Sequence, residues 1–324
     1  EIMPSLVGSE MCIRDRLWGG TRIAEFKGIP SQGDHIGESW ELSPMPGHES
    51  VVADGPFKGQ TLPQLLEAHG KEIMGEGLYE RFQGKFPLLI KFIDSTSDLS
   101  IQVHPDDALA AKRHNSLGKT EMWYSVLPTP TAYLFAGFSE KMDAAKFRRM
   151  VAESTIVDAL ARYNTKPGDV FFLPAGRVHA IGQGNFVLEI QEASDITYRI
   201  YDYNRRDAEG NLRQLHVEES VDAINYDDVA QEVKNVTAAP GQEAMVEDCS
   251  YFTTTLVNVD GEYLLPLADR HSFTILIATE GSLSVEAPDG AVTPLPQGQT
   301  LLVPASMPQV KLRGKGNVVT VYIR

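Results

Sequence analysis

Apolar and polar residues alternate in short runs along most of the chain, and two stretches depart from that rhythm. Between Thr61 and Phe82 the apolar positions Leu62, Leu65, Leu66, Ile73 and Met74 recur at helical spacing, with Pro63 near the start, which predicts one or two short helices. From Glu140 to Tyr163 the residues Met142, Phe147, Met150, Val151, Ile156, Leu160 and Ala161 follow a similar period and predict a helical insert. Leu17 to Val52 is cut by Gly and Pro into segments such as Trp18-Gly19-Gly20 and Gly37 to Ser43, which read as strands and turns rather than helix. Pro87 to Ile93, a turn over Asp94 to Asp98 and an alternating strand from Leu99 to His104 read together as a hairpin. Strand character returns beyond Pro167 and again from Tyr251 to Arg324, where Phe273 to Ile277, Thr300 to Val303 and Val318 to Ile323 form short apolar runs between turns.

Asp227 to Gln242 is rich in Asp, Glu, Ala and Pro and poor in aromatic residues, so the domain boundary is expected there. A chain of 324 residues suits two domains, placed at 17–235 and 236–324. Residues 1–16 show neither strand alternation nor the apolar core of a signal peptide and are read as an artefact or a disordered leader. With 42% hydrophobic and 23% charged residues and no apolar run of spanning length, the chain reads as a water-soluble protein without a membrane partner. Lys and Arg number 29 against 44 Asp and Glu, and a net charge of −15 without a basic patch argues against nucleic acid. The same field repels a phosphate ester, so such a substrate would need a local cluster of cations. Cys12 and Cys249 are too few for a disulfide framework, which makes a reducing compartment the default.

The segment Ser100-Ile101-Gln102-Val103-His104-Pro105 carries the first chemical signal. In a strand alternate residues share a face, so Ser100, Gln102 and His104 project together while Ile101 and Val103 face a core. A lone Gln-x-His is commonplace on a solvated strand. Gly168 to His179 adds a strand, a Pro174-Ala175-Gly176 turn and a histidine, in which a tight turn at a barrel rim lets the imidazole enter the cavity. Glu121 precedes the apolar Met122-Trp123-Tyr124 and can sit on a strand of the same barrel. Gln102, His104, Glu121 and His179 together offer one amide oxygen, one carboxylate and two imidazoles. That set suits Zn²⁺, is tolerable for Mn²⁺, Fe²⁺ or Co²⁺, and leaves a coordination position for water or a substrate oxygen.

Gly168 to His179 also matches the second cupin motif, with the trailing Asn displaced to Asn185. Ser-Ile-Gln-Val-His-Pro-Asp at 100–106, Gly-Lys-Thr-Glu-Met-Trp-Tyr at 118–124, Pro-Ala-Gly-Arg-Val-His-Ala at 174–180 and Glu-Ile-Gln-Glu-Ala-Ser-Asp-Ile-Thr-Tyr-Arg at 189–199 resemble class I mannose-6-phosphate isomerases, more narrowly the short bacterial form. The resemblance implies a mainly β fold of tandem cupin-type barrels, or jelly rolls, with a small helical insertion. It implies a cytoplasmic enzyme, monomeric or homodimeric, that interconverts mannose 6-phosphate and fructose 6-phosphate through an enediol, a small-molecule sugar phosphate being its partner. It further implies one Zn²⁺ per chain on Gln102, His104, Glu121 and His179, with Arg199 beside it, Glu189 and Lys91 in the active site, and Ser100 and Lys119 at the phosphate. Zn²⁺ and Arg199 would then meet the developing oxyanion and Lys91 or Glu189 the proton. Lys91, Lys119 and Arg199 supply the local cations that the acidic chain requires.

His35, His48, His69, His114, His216 and His271 lack motif context and read as surface or structural. Where the family opens with an apolar strand this chain has Arg14-Asp15-Arg16-Leu17, so that strand is expected to be missing or replaced. In the C-terminal domain Val303-Pro304-Ala305-Ser306 resembles the Pro-x-Gly turn without its histidine, as in a degenerate second cupin. A non-catalytic sugar-binding or regulatory cupin is the main alternative, and the full ligand set with Lys91 and Arg199 argues against it. An iron-dependent dioxygenase would use a set richer in histidine.

Overall fold

A computed structural model describes residues 12–31, 33–206 and 210–324; most of the segment read as a leader, residues 1–11, lies outside the described residues. The alternating runs of the first domain form β1 (Cys12–Gly20), β2 (Ile36–Leu42), β3 (Leu88–Asp94), β4 (Ile101–Val103), β5 (Glu121–Ser125), β6 (Tyr133–Phe138), β7 (Leu160–Asn164), β8 (Asp169–Leu173), β9 (His179–Ile181), β10 (Phe186–Glu192), β11 (Tyr198–Tyr201) and β12 (Lys234–Asn235). They divide into two sheets, ordered β1-β2-β3-β10-β5-β8-β12 and β11-β4-β9-β6-β7. Residues of both sheets, including Ile93, Trp123, Phe171 and Val187 from the first and Leu134, Ala136 and Ile181 from the second, meet in one apolar cluster, as in a jelly roll.

The period of two also buries the outer faces. Ile90, Phe92, Met122, Leu188 and Ile190 of the first sheet pack outward in the largest core, and Ile101, Val103, Ala180 and Ile200 of the second do so in another. Helices cover these faces: α1 (Arg22–Lys27), α2 (Leu62–Met74), α3 (Glu76–Arg81), α4 (Asp107–His114), α5 (Ala144–Ala152) and α6 (Val217–Ala223). The helical reading of 61–82 corresponds to α2 and α3. Thr61 and Gln64 cap α2 reciprocally, and Gly75 at φ 83° separates the pair.

Four local expectations are corrected. The run from Leu17 to Val52 contains α1, whose Ile23, Ala24 and Phe26 are buried; one and a half turns are too short to show a period, and Gly28 ends it at φ 63°. The insert at 140–163 is α-helical only over α5, because Ser154 turns at φ 58°, Ile156–Ala159 form a single 3-10 turn, and Leu160 and Ala161 continue into β7, paired with β6. β3 and β4 are no hairpin: they lie in different sheets, and the link between them bonds to the 181–185 segment through Ser95 N–H to Asn185 O (3.0 Å) and Leu99 N–H to Ile181 O (2.8 Å). The polar stretch before Trp18 is a strand after all, β1 pairing Cys12 with Trp40 and Arg14 with Glu38, so residues 12–16 belong to the fold. An edge strand is held by backbone hydrogen bonds on one side and tolerates polar side chains.

The C-terminal runs form β13 (Glu243–Asp248), β14 (Thr253–Pro266), β15 (Thr274–Glu286), β16 (Val292–Pro296), β17 (Thr300–Val303) and β18 (Gln309–Tyr322), a second β unit with its own core. Leu256, Phe273, Ile275, Val319 and Val321 join the largest core of the first unit, so the two share an apolar seam. Lys27 crosses that seam: its buried Nζ donates to Glu41 Oε2 (2.7 Å) and to the carbonyl of Gly298.

Candidate metal centre

Pairing between strands brings the candidate residues together. Gln102 on β4 lies opposite His179 on β9, and Arg199 on β11 lies opposite Gln102 on its other side. On the facing sheet, Glu189 of β10 sits between Lys91 of β3 and Trp123 of β5, and Gln191 is paired with Glu121. Two glycines tighten the geometry. Gly176 adopts φ 90° and donates its N–H to His104 O at 2.9 Å, and a Cβ there would stand 3.0 Å from Ala223 O. Gly118 passes so close to α4 that a Cβ would lie 2.6 Å from Asp107 N, which delivers Lys119 and Glu121 to the interior.

One ligand atom from each of His104, Glu121 and His179, a ring nitrogen or a carboxylate oxygen, lies within 4.8 Å of the other two. His179 Nε2 is 3.3 Å from Glu121 Oε1, and His104 Nε2 is 3.6 Å from Oε2. Each imidazole gives its Nδ1–H to a backbone carbonyl, His104 to Ile196 (2.8 Å) and His179 to Arg177 (2.9 Å), which leaves Nε2 as a lone-pair donor facing Glu121. Burial, followed by the charge of Lys119, holds the His104 imidazole well below its usual range. Burial likewise lowers His179, to about 3, so both rings are neutral. The Gln102 amide stands with Nε2 3.2 Å from His179 Nε2, and a half-turn of the amide presents Oε1 to the same point.

Glu121 is fully buried, and neither of its oxygens receives a well-aligned hydrogen bond among the described residues. Burial and then the charge of Glu189 push its carboxyl well above the usual carboxylate range. The cation that approaches it is Lys119, whose Nζ lies 2.6 Å from Oε2 and 3.2 Å from His104 Nε2. A buried carboxylate approached by one ammonium and faced by two neutral imidazoles and an amide fits a divalent cation.

A second buried group lies beside the first. Lys91 Nζ donates to Glu189 Oε1 (2.8 Å) and Gln191 Oε1 (2.6 Å) and lies 5.1 Å from the centroid of the Trp40 ring. Trp123 Nε1–H donates to Glu189 Oε2 at 2.9 Å. Burial alone would raise the Glu189 carboxyl, but Lys91 and Lys119 outweigh it and hold the group ionised. The Lys91–Glu189 pair lines a cleft of about 600 Å³ together with Ser100, Gln102, Lys119 and Arg199, and His104, Glu121 and His179 lie behind Gln102 and Lys119. The half-buried Arg199 gives one N–H to Gln214 O (3.0 Å), while its buried Nε has no partner among the described residues.

A family model described as phosphomannose isomerase type I, catalytic domain, matches residues 9–124, and one described as mannose-6-phosphate isomerase, cupin domain, matches residues 242–323. Mannose-6-phosphate isomerase ManA of Bacillus subtilis is 34% identical over 315 residues, covering 96% of each chain. The chain belongs to the type I phosphomannose isomerase family. Another member, from Streptococcus mutans, is 32% identical over 98% of this chain and 97% of its own. The crystal structure of the Bacillus subtilis mannose 6-phosphate isomerase superposes with a TM-score of 0.89 at 32% identity, covering 99% of this chain and 100% of that one.

Within this phosphomannose isomerase scaffold several cleft residues escaped sequence reasoning. Arg16, Glu38, Asp195, Thr197 and Arg213 line the same cleft, and Trp40, Trp123 and Gln191 hold the lysine and glutamate behind it. Arg16, Glu38, Trp40 and Arg213 lie outside the short motifs, whereas Trp123, Gln191, Asp195 and Thr197 lie within them without carrying a signal of their own, and Arg16 fell in the segment set aside as a leader. Asn185 is structural: it is fully buried, donates to Tyr133 O (2.6 Å) and Gly182 O (2.9 Å) and accepts from Thr165 Oγ1 (2.8 Å). His216 supports Arg199, accepting that residue's backbone N–H at Nδ1 over 3.1 Å.

Glu192, next along β10, accepts the Thr120 N–H at 2.7 Å, and burial pushes its carboxyl from 4.5 up to about 8. The native state therefore keeps a proton that the unfolded chain releases above 4.5, and the stability this supplies fades as pH rises toward 8. Glu192→Gln keeps the acceptor without the ionisation. Its melting temperature is expected to gain on the parent's progressively between about pH 5 and about pH 8, and parallel curves would remove Glu192 from the pH dependence.

Proposed function

We propose that this chain is a mannose-6-phosphate isomerase that interconverts mannose 6-phosphate and fructose 6-phosphate through an enediol, using one Zn²⁺ per chain. The observation that carries the proposal is the buried Glu121 carboxylate between two Nδ1-anchored imidazoles, with Lys119 against one of its oxygens, directly behind a cleft lined by cations. Gln102, His104, Glu121 and His179 are proposed to hold the ion, which when bound supplies positive charge for the oxygens of C1 and C2. A set of two imidazoles, one amide and one carboxylate favours zinc among the common divalent ions.

In this proposal the chain's own residues orient the sugar and move the proton. Arg199, whose Nε has no partner among the described residues, directs a hydrogen bond toward the oxygen on which negative charge develops. Lys91 and Glu189 form the proton-transfer unit, because their shared hydrogen bond lets a proton leave C2 and return at C1 without a buried charge being stranded. Trp40 and Trp123 keep that pair dry and fixed in place. Ser100 and Lys119 are proposed contacts of the phosphate, Lys119 by turning from Glu121 toward the cleft. A cytoplasmic monomer or homodimer is part of the same reading.

A coupled assay that supplies mannose 6-phosphate and detects fructose 6-phosphate tests the activity. Chelation should abolish turnover and Zn²⁺ restore it; undiminished conversion by metal-free protein would sink the reading. Arg199→Ala should lower turnover by roughly a hundredfold or more with unchanged circular dichroism. Near-normal turnover would take Arg199 out of the chemistry.

A further inference from the structure

The cations that face the metal centre are already committed. Lys119 is held by Glu121 at 2.6 Å, and Lys91 by Glu189 at 2.8 Å and Gln191 at 2.6 Å, so the proposed phosphate contact of Lys119 costs part of a buried ion pair and supplies only a share of the charge that a dianion needs. The outer part of the cleft is different. Arg213 and Arg16 line it together with Arg199. Among the described residues Arg213 has one ion-pair contact, to Asp202 Oδ2 at the long distance of 3.5 Å, and its side chain is 39% exposed. Arg16 reaches Glu38 with two contacts of 3.3 Å, also long, at 36% exposure. Asp202 is itself buried and also binds Arg205, so it fixes the start of the segment that carries Arg213.

We propose that Arg213 and Arg16 form a guanidinium clamp at the mouth of the cleft that holds the phosphoryl group of the substrate, supplying most of the charge that binds it. The inference rests on the proposed sugar-phosphate substrate. C6 lies at the opposite end of the sugar from C1 and C2, so a phosphate at the mouth leaves the reacting carbons to reach inward toward Gln102, Lys91 and Glu189. Guanidinium forks match phosphate oxygens in pairs, and two loosely engaged forks give up little when the dianion arrives. They also create the local positive field without which a chain of net charge −15 would repel this substrate. Charge crowding is visible in Arg199, which burial first and the Arg213 charge next destabilise in its protonated form; an anion between these groups relieves it.

The test is calorimetric titration of the zinc-loaded protein with inorganic phosphate, comparing the parent with Arg213→Ala, Arg16→Ala and Arg213→Lys. Each alanine variant should bind phosphate roughly tenfold more weakly or worse, with Arg213→Lys in between because a lysine keeps the charge and loses the fork. In turnover, the loss in kcat/KM for mannose 6-phosphate should fall mainly on KM. Unchanged phosphate affinity in both alanine variants, or no phosphate binding by the parent, overturns the clamp. If the parent binds phosphate through Arg213 yet fails to isomerise mannose 6-phosphate, the clamp stands and the proposed reaction falls. If the parent isomerises and both variants keep its KM and phosphate affinity, the clamp alone falls.

Discussion

Replacing His104 by Ala is expected to lower isomerase turnover by roughly a thousandfold, equivalent to about 4 kcal/mol of barrier, and to leave the purified protein depleted of metal. His104 is buried, its Nδ1–H is fixed on Ile196 O, and its Nε2 lies against Glu121. Alanine removes a donor and leaves a cavity beside a buried carboxylate whose near cation is Lys119. Metal content by elemental analysis and turnover in the coupled assay should fall together; a variant that retains stoichiometric zinc would show that His104 is not a ligand. The pH dependence of metal uptake has a definite sign. Both imidazoles are neutral, so the proton that a cation must displace near neutrality is the one on Glu121, whose affinity for it burial has raised. Apparent affinity should climb with pH, by up to about tenfold per unit, and flatten once Glu121 is ionised. Calorimetry in buffers of different ionisation enthalpy reads this proton release directly.

Lys91→Met should be costly in two separable ways. The variant leaves Glu189 buried with Trp123 Nε1–H at 2.9 Å and Lys119 no closer than 3.9 Å. Breaking a buried pair from one side destabilises by about 3–5 kcal/mol, so the unfolding midpoint in denaturant should drop sharply. Turnover should fall with it. The double variant Lys91→Met with Glu189→Leu removes both charges and should recover much of the lost stability, since an apolar pair of similar volume tolerates burial. Its activity should stay lost. Recovery of activity along with stability would mean that the pair is only structural, and a single variant as stable as the parent would mean that Glu189 had taken up a proton instead.

Motif residues were legible because their order along the strand already encodes their direction. Ile101 and Val103 lie in the outer core while Ser100 and Gln102 line the cleft, as alternation on one strand requires. The Pro174-Ala175-Gly176 turn was legible for a similar reason, since glycine at a left-handed φ before a histidine marks a tight rim turn. Arg16 and Arg213 were not legible, because each reaches the cleft from an edge strand or a connecting segment with no periodic signal. α1 was missed because six residues show no period, and the pairing of β3 and β4 was misread because nearness in sequence favours a hairpin over a crossing between sheets.

By itself the amino-acid sequence determined the mainly β character, the helices after Thr61, and the chemical type of the four candidate donor residues, since these depend on local period and on which side chains carry lone pairs. Tertiary structure alone decided that His104 and His179 stand neutral against one carboxylate, that Lys119 is tied to that carboxylate, and that Lys91 and Glu189 share a hydrogen bond under two indoles. Those outcomes depend on burial and on distances between strands far apart along the chain. Desolvation and Coulomb terms change steeply over the last few ångströms, and only the packed sheets set those distances.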